Sequence, residues 1–377
     1  MSSSLKAAAV RLCNDPVSTE EHILAAETQV RAAAEQGAQL IVLPEVFNTG
    51  YAYTEQNYLR AETPDGPTVS WMKQLAAELD VHLAGSLLLL GPEHITNSLV
   101  LVAPDGRLWR YDKNHPWVWE RAYFREGHDI TVAKTDIGTF GLMICADVFS
   151  PRLFERYAGK VDALVSSASP PRMDNLAYHF PDGTHVLQRD LAPVPPRLLE
   201  TAEEYFGGRV RGLAGWLGVP IIQAVPYGNF KTHLPAPRLS LGVLLALKPG
   251  LWRHWLQAPK VVAHAPYFNE NMIAGRDGTL LARYDDLADG FALAEIDLPD
   301  VPARPSKPPP DWKVEAQAYQ WVMEALSWLL IPTYRRGVRR AWGHEMAPLD
   351  RSTQVWQLTV AAAALIGLLV GRFSRRR

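Results

Sequence analysis

Gly141-Leu142-Met143-Ile144-Cys145-Ala146-Asp147 runs from apolar residues into a thiol and then, past one small side chain, into an acid. Residues 142–144 suit the end of a buried strand, and Asp147 with Ser150-Pro151 suits the turn that leaves it. Such a layout sets one thiol at the rim of a sheet, with the backbone N–H of Ala146 facing the same space. By composition alone, a cysteine in an apolar run is a small core residue. The surrounding chain has to decide between an inert thiol and a reactive one.

Working outward, the pattern alternates between short apolar strands and amphipathic helices. Upstream, residues 6–12 read as a strand, residues 19–36 as an alanine- and glutamate-rich helix closed by Gly37, and residues 40–43 as a buried strand ending at Pro44-Glu45. Residues 67–79 read as a helix and 81–90 and 97–102 as strands, with Pro104-Asp105-Gly106 as a turn; Lys113-Asn-His-Pro then interrupts regular structure. Downstream come a helix over 152–158 and strands over 161–166 and 219–224. A hairpin follows around Asp277-Gly278 within 269–298. This alternation predicts an α/β layered domain over residues 1–300.

Two stretches look inserted. Residues 170–196 are rich in Pro, His and Asp with little periodicity, and His179 and His185 read there as solvated loop residues rather than metal ligands. Residues 229–266 hold a long apolar run and then Leu251-Trp252-Arg253-His254-Trp255, too apolar for a disordered loop. Residues 301–310 are proline-rich and read as a linker; residues 311–354 read as an amphipathic, basic helical extension carrying Arg335, Arg336, Arg339 and Arg340. Residues 355–371 are almost uncharged and are followed by a basic tail over 372–377. Seven of the twelve tryptophans lie beyond residue 250. Trp beside apolar segments and arginines is the composition of a membrane interface, so residues 355–371 are expected to form a single-pass or in-plane membrane helix, with the α/β domain cytoplasmic. Arginines flank that segment on both sides, which leaves its orientation open.

The balance of 38 basic against 40 acidic residues, net −2, argues against a nucleic-acid partner. Two cysteines, Cys13 and Cys145, indicate no disulfide framework and a reducing compartment. His344-Glu345 lacks the second histidine of a zincin motif, the glycines at 207–218 match neither dinucleotide nor P-loop patterns, and no metal or cofactor is expected.

Glu45, Lys113 and Cys145 each end an apolar or strand-like segment, where α/β sheets gather reactive groups. A thiol needs a base, and a developing oxyanion needs a cation or N–H donors. Leu43-Pro44-Glu45, Tyr111-Asp-Lys113-Asn-His115, Trp119-Glu120-Arg121-Ala-Tyr-Phe124 with Gly127, and Gly141-Leu-Met-Ile-Cys145-Ala-Asp147-Val-Phe149 together resemble the signature blocks of the nitrilase superfamily of carbon–nitrogen hydrolases. The blocks occur in the family's order, and the resemblance covers roughly residues 5–300. It implies an α-β-β-α sandwich, here with a C-terminal helical extension and an apolar tail helix. It also implies Cys145 as nucleophile, Glu45 as general base, and Lys113 with the Ala146 N–H as oxyanion stabilisers. Glu120 would be the second glutamate, which holds the lysine and the substrate. Tyr51, His115, Trp117, Phe149, Trp252 and Trp255 are the candidate substrate-binding residues.

The sequence departs from the family in two places. Arg211-Gly-Leu-Ala-Gly-Trp216 stands where members often carry Arg-Ala-x-Glu-Asn, and Cys145 is followed by Ala-Asp where true nitrilases commonly show Trp-Glu. The second favours an amide or carbamoyl substrate over a nitrile. The expectation is hydrolysis of a lipophilic substrate at a membrane through a thioester, by a homodimer or larger homo-oligomer. Nitrile hydrolysis, N-acyl transfer through the same thioester and a catalytically silent, membrane-tethered scaffold are the alternatives.

Overall fold

The computed structural model describes residues 4–15, 17–190, 205–247, 249–301, 305 and 328–343. The expected linker beyond residue 301 apart from Pro305, residues 311–327 and 344–354 of the expected helical extension, the expected membrane helix over 355–371 and the basic tail over 372–377 lie outside the described residues.

Two six-stranded sheets stack face to face. The first holds β1 (Ser4–Arg11), β2 (Leu40–Val42), β3 (His82–Leu90), β4 (Ile95–Val102) and β5 (Leu108–Asp112) in that order, with the closing strand β16 (Gly290–Asp297) antiparallel to β1 at its edge. The second holds β6 (Val132–Lys134), β7 (Thr139–Ile144), β8 (Ala163–Ser167), β11 (Ile221–Ala224), β14 (Met272–Ala274) and β15 (Leu280–Arg283), again in that spatial order.

Strand β1 shows how the layers are specified. Its alanines leave room on both faces: Ala7 and Ala9 join the core between the sheets, while Ala8 and Val10 join the core under the helices. Those helices are α1 (Thr19–Glu35) and α3 (Pro67–Leu79), covering the outer face of the first sheet through Ala26, Val30, Val69, Met72 and Leu75. The short helix α2 (Gln56–Leu59) lies between them in sequence. Helix α1 starts at a capping box in which Ser18 and Glu21 satisfy each other's backbone N–H groups. Helices α4 (Pro151–Tyr157) and α5 (Val210–Leu217) cover the second sheet, contributing Leu153, Phe154, Leu213 and Leu217 to the same core as Ala7 and Ala9. The result is the expected order of helix, sheet, sheet, helix.

The two inserted stretches are better ordered than their composition suggests. Residues 170–190 are not an aperiodic loop. They contain the hairpin β9 (Ala177–His179) and β10 (His185–Leu187), with the Gly183 turn at φ +83°. Thus His179 and His185 stand on strands, opposite one another. Residues 229–266 supply β12 (Asn229–His233), helix α6 (Pro237–Leu247), the 3-10 stretch Pro249–Lys260 and β13 (Val262–Pro266). These strands join the hairpin in a third sheet, ordered β10-β9-β13-β12. Ala177–His179 and His185–Leu187 lack the continuous apolar run that made β2 readable; a partner some 85 residues away makes β9 a strand, and β9 in turn pairs β10.

Helix α7 (Ile331–Trp342) returns to the domain. Ile331, Tyr334, Gly337 and Val338 are its buried face. The Ile95 N–H donates to the Tyr334 hydroxyl (2.9 Å), and Trp342 Nε1 donates to the Tyr58 carbonyl (3.0 Å). Tyr58 in turn donates its hydroxyl to the Ala122 carbonyl. Among the described residues no helix is long and apolar enough to cross a membrane.

Candidate active site

Glu45 follows β2 by three residues, Lys113 follows β5 directly, and Cys145 follows β7 directly. The sandwich therefore brings three strand ends from two sheets to one place. Glu120 arrives from the 3-10 turn Val118–Ala122. All four side chains are buried, with Lys113 and Glu120 fully enclosed.

Lys113 Nζ donates to Glu45 Oε1 and to Glu120 Oε1, each at 2.7 Å, and lies 6.0 Å from the centroid of the Phe124 ring. Asn97 Nδ2 donates a second hydrogen bond to Glu45 Oε1 at 2.8 Å. The other carboxylate oxygen of Glu45 has no hydrogen-bond partner among the described residues. It is the atom left to meet a thiol proton. Glu120 is held by the Tyr51 hydroxyl on one oxygen and by the Trp117 N–H on the other. The lysine backbone is pinned as well: its N–H donates to the Asn97 carbonyl, and its own carbonyl accepts from Gly127. A Cβ at residue 127 would lie 2.4 Å from the Asp112 carbonyl oxygen, so only glycine fits there.

Cys145 opens a 3-10 segment, Cys145–Phe149, and takes φ +44°, a conformation that L side chains rarely adopt. Val46, next to Glu45, is also left-handed at +51°. Asp147 fastens the cysteine turn. Its carboxylate accepts from the Ile144 N–H (2.9 Å), the His115 N–H (2.9 Å) and the Tyr111 hydroxyl (2.8 Å). One carboxylate thereby ties the cysteine turn to the lysine loop. The two sheets are latched behind the site: Ser167 Oγ donates to the Leu43 carbonyl (2.7 Å) and Ser169 Oγ to the Glu45 carbonyl (3.2 Å).

The charges follow from this enclosure. Burial raises the Glu45 carboxyl to about 7, against the opposing pull of Lys113. Burial likewise lifts the Cys145 thiol well above its ordinary range, with the negative charge of Glu45 adding to the effect. Burial alone would lower Lys113, but Glu120 and then Glu45 outweigh it, and the ammonium is held charged. The arrangement can therefore keep a neutral thiol beside a carboxylate that titrates near neutrality. It can also keep a fixed cation where negative charge would develop. Ala146 lies in the first turn of the cysteine segment, where N–H groups have no carbonyl behind them along the chain.

Of the candidate substrate residues, Tyr51 is placed within the cluster as the support of Glu120. His115 and Trp117 enter through their backbone N–H groups, and Trp117 and Phe149 pack with ring centroids 5.9 Å apart. Trp252 and Trp255 are not brought there. Trp252 is 59% exposed and packs on Trp255 at 5.4 Å; among the described residues neither makes a hydrogen bond or ring contact with the four-residue cluster. The inserted sheet reaches the site wall through other residues. Phe230 packs on Tyr51 and Tyr53 (6.1 and 5.4 Å), Thr232 Oγ1 accepts from the Tyr53 N–H (3.0 Å), and the Tyr267 hydroxyl donates to the Tyr51 carbonyl (3.0 Å). Sequence reading missed Asn97, Asp147, Tyr53 and Phe230. Only Asp147 stood in a quoted motif, where it read as a turn residue. Among the described residues, no group of three or more His, Cys, Asp or Glu side chains is arranged to hold a metal ion.

Stacked mixed sheets with helices outside, with a cysteine, a lysine and a glutamate at strand ends and a second glutamate on a turn beside them, make an α/β sandwich of the nitrilase type. The carbon–nitrogen hydrolase family model matches residues 6–190. Among curated proteins, a nitrilase of Pyrococcus abyssi is 30% identical over 39% of this chain and 58% of its own length. An N-carbamoylputrescine amidase of Solanum lycopersicum is 34% identical over 37% of this chain and 49% of its own. The chain thus spans about half the length of these relatives. A solved amidase of the nitrilase superfamily from Nesterenkonia AN1 superposes with a TM-score of 0.56 at 16% identity, covering 78% of this chain and 92% of that one.

Proposed function

We propose that this protein hydrolyses a non-peptide carbon–nitrogen bond, an amide or carbamoyl group, through a thioester on Cys145. The observation that carries the reading is the buried Lys113 ammonium held 2.7 Å from both Glu45 and Glu120 beside the thiol. Glu45 takes the Sγ proton as the sulfur attacks the carbonyl carbon. The resulting oxyanion faces Lys113 Nζ and the Ala146 N–H. Glu45 returns the proton to the leaving nitrogen, which departs as ammonia or an amine and leaves the acyl group on sulfur. Glu45 then takes a proton from water, whose oxygen attacks the thioester; the acid leaves and the thiol regains its proton. Glu120 holds the ammonium in place and is itself held by Tyr51 and the Trp117 N–H. The Nesterenkonia amidase has been solved with butyramide and with the acetamide moiety of fluoroacetamide added covalently at its active site cysteine. That chemistry supports an amide reading here.

The proposal extends to a lipophilic substrate met at a membrane, with the protein a homodimer or larger assembly. Its support is the apolar run over 355–371 and the exposed Leu239, Trp252 and Leu256 of the inserted stretch.

Incubating the protein with an amide panel and recording intact mass tests the chemistry. An acyl adduct on the wild type that is missing from Cys145→Ala, with free acid as product in water, is the expected result. Adducts resolved only by added amines would point to acyl transfer, and adducts formed from nitriles alone to nitrile hydrolysis. No adduct with any substrate would leave the scaffold reading. For the membrane part, deleting residues 352–377 should release the protein from sedimenting lipid. Equal activity on short and long-chain amides would sink the lipophilic substrate.

A further inference from the structure

Between the turn Val118–Ala122 and helix α7 lies a group of cations that the reaction above does not use. Arg121 and Arg125 are 4% and 2% exposed. A single carboxylate, Glu126, meets both: Arg121 Nη1 stands 2.7 Å from Oε2 and Arg125 Nη2 2.9 Å from Oε1. The first contact is close enough for an ion pair but is not aligned for a hydrogen bond, since Arg121 Nη1 and Glu126 Oε2 both lack a hydrogen-bond partner. Trp328 lies across the two guanidinium groups, its ring centroid 5.2 Å from Arg121 and 5.6 Å from Arg125, and the Tyr334 ring is 6.0 Å from Arg125. Arg335, next to Tyr334 on α7, adds a third cation whose charge is felt at Arg125 and at His94.

Among the described residues, three guanidinium groups face the carboxylate of Glu126, with Glu93 the other acid whose charge reaches His94, which leaves positive charge in excess around the buried Arg121 and Arg125. Nε and Nη1 of Arg121, Nε and Nη1 of Arg125, Nη2 of Arg335 and Nδ1 of His94 are buried there without a hydrogen-bond partner among the described residues. Trp328 and Tyr334 cover guanidinium faces, which satisfies the planes and leaves the N–H edges unmatched. Water could accept from those edges but would not offset the charge. A group with several anionic oxygens does both, and the planar guanidinium fork matches phosphate oxygens in pairs. We propose that Arg121, Arg125 and Arg335 bind a phosphate group beneath Trp328, and that this anion fastens the C-terminal helix to the turn that carries Glu120. The mechanical link is already drawn by Tyr58, which donates to Ala122 and accepts from Trp342 through its carbonyl.

The phosphate can be a free anion or a phospholipid headgroup, and the test separates the two. The full-length protein in nonionic detergent is melted with inorganic phosphate, with chloride at matched ionic strength, and with phosphatidylcholine vesicles with or without phosphatidic acid. A soluble ligand predicts that inorganic phosphate at ten times its dissociation constant raises the midpoint by about 2 °C over chloride. A headgroup predicts the shift only with phosphatidic acid. Arg335→Gln should lose the shift, while Arg107→Gln, at an exposed arginine paired with Asp105, should keep it. Arg335 is only half-buried, so this variant probes the site without emptying the core; Arg125→Gln is the stronger variant where it folds. The proposal is overturned by the lack of a shift from either phosphate source, or by a shift that Arg335→Gln retains. Neither readout depends on turnover, so the amidase reading can fail while this one stands.

Discussion

Cys145 pays for its position in backbone strain: φ +44° costs a non-glycine residue about 1–2 kcal/mol. Cys145→Gly should therefore melt higher than Cys145→Ala by the equivalent of about 1 kcal/mol, and neither should form an acyl adduct. Equal midpoints would show that the turn relaxes when the thiol is removed. Glu45 must be ionised to accept the thiol proton, and its carboxyl is raised to about 7 by burial. kcat/KM should accordingly fall about tenfold per pH unit below that point, and Glu45→Gln should lower it by about 10²–10⁴-fold. A profile flat between pH 5 and 7 would remove Glu45 from the role of base. At this scale the sequence was most informative about identity: Glu45, Lys113, Glu120 and Cys145 all meet. It was silent about conformation. Nothing in the letters marks Val46 as left-handed, because that angle follows from Ser86 Oγ and the neighbouring strand, which hold the Val46 N–H and the turn after it.

Elements carry the next layer of control. The turn Cys145–Phe149 and the loop after β5 share one carboxylate, Asp147, whose three acceptor bonds set the cysteine and the lysine relative to each other. Asp147→Asn keeps the volume but points an amide group at backbone donors. It should cost about 1–3 kcal/mol of stability, with kcat falling about ten- to a hundredfold and KM little changed. A KM effect alone would make Asp147 a substrate contact. Legibility at this scale followed the apolar run, which marked even the three-residue β2. The eight- and nine-residue strands β1, β3, β4 and β16 were readable from their runs, whereas β9 is a strand through its pairing with β13 and with β10, and β10 through its pairing with β9. Asn97 was hidden for a related reason. It lies in the middle of β4, and only the register with β5 carries it across to Lys113 and Glu45.

For the whole molecule, the C-terminal helix is the informative piece. Gly337 lies so close to Tyr58 that a Cβ there would come within 2.1 Å of its ring. Gly337→Leu should therefore lift α7 off the domain, costing about 1–3 kcal/mol and raising the proteolytic sensitivity of residues beyond 301; unchanged cleavage would mean the helix is not clamped there. Composition had flagged the basic patch on this helix, but not that its other face shares a hydrophobic cluster with Tyr51, Tyr53 and Tyr58, since sequence alone does not tell which surface an amphipathic helix meets. The third sheet has a different kind of consequence. Its hairpin β9–β10 comes from the stretch the family model covers, and its partner strands β12 and β13 come from beyond residue 190. Neither half is a transplantable part. A chain cut after Asp190 would leave β9 without β13 as an open hydrogen-bonding edge next to buried Tyr178 and Val186, a template for self-association. Any lineage or engineer that trims one insertion must therefore trim both.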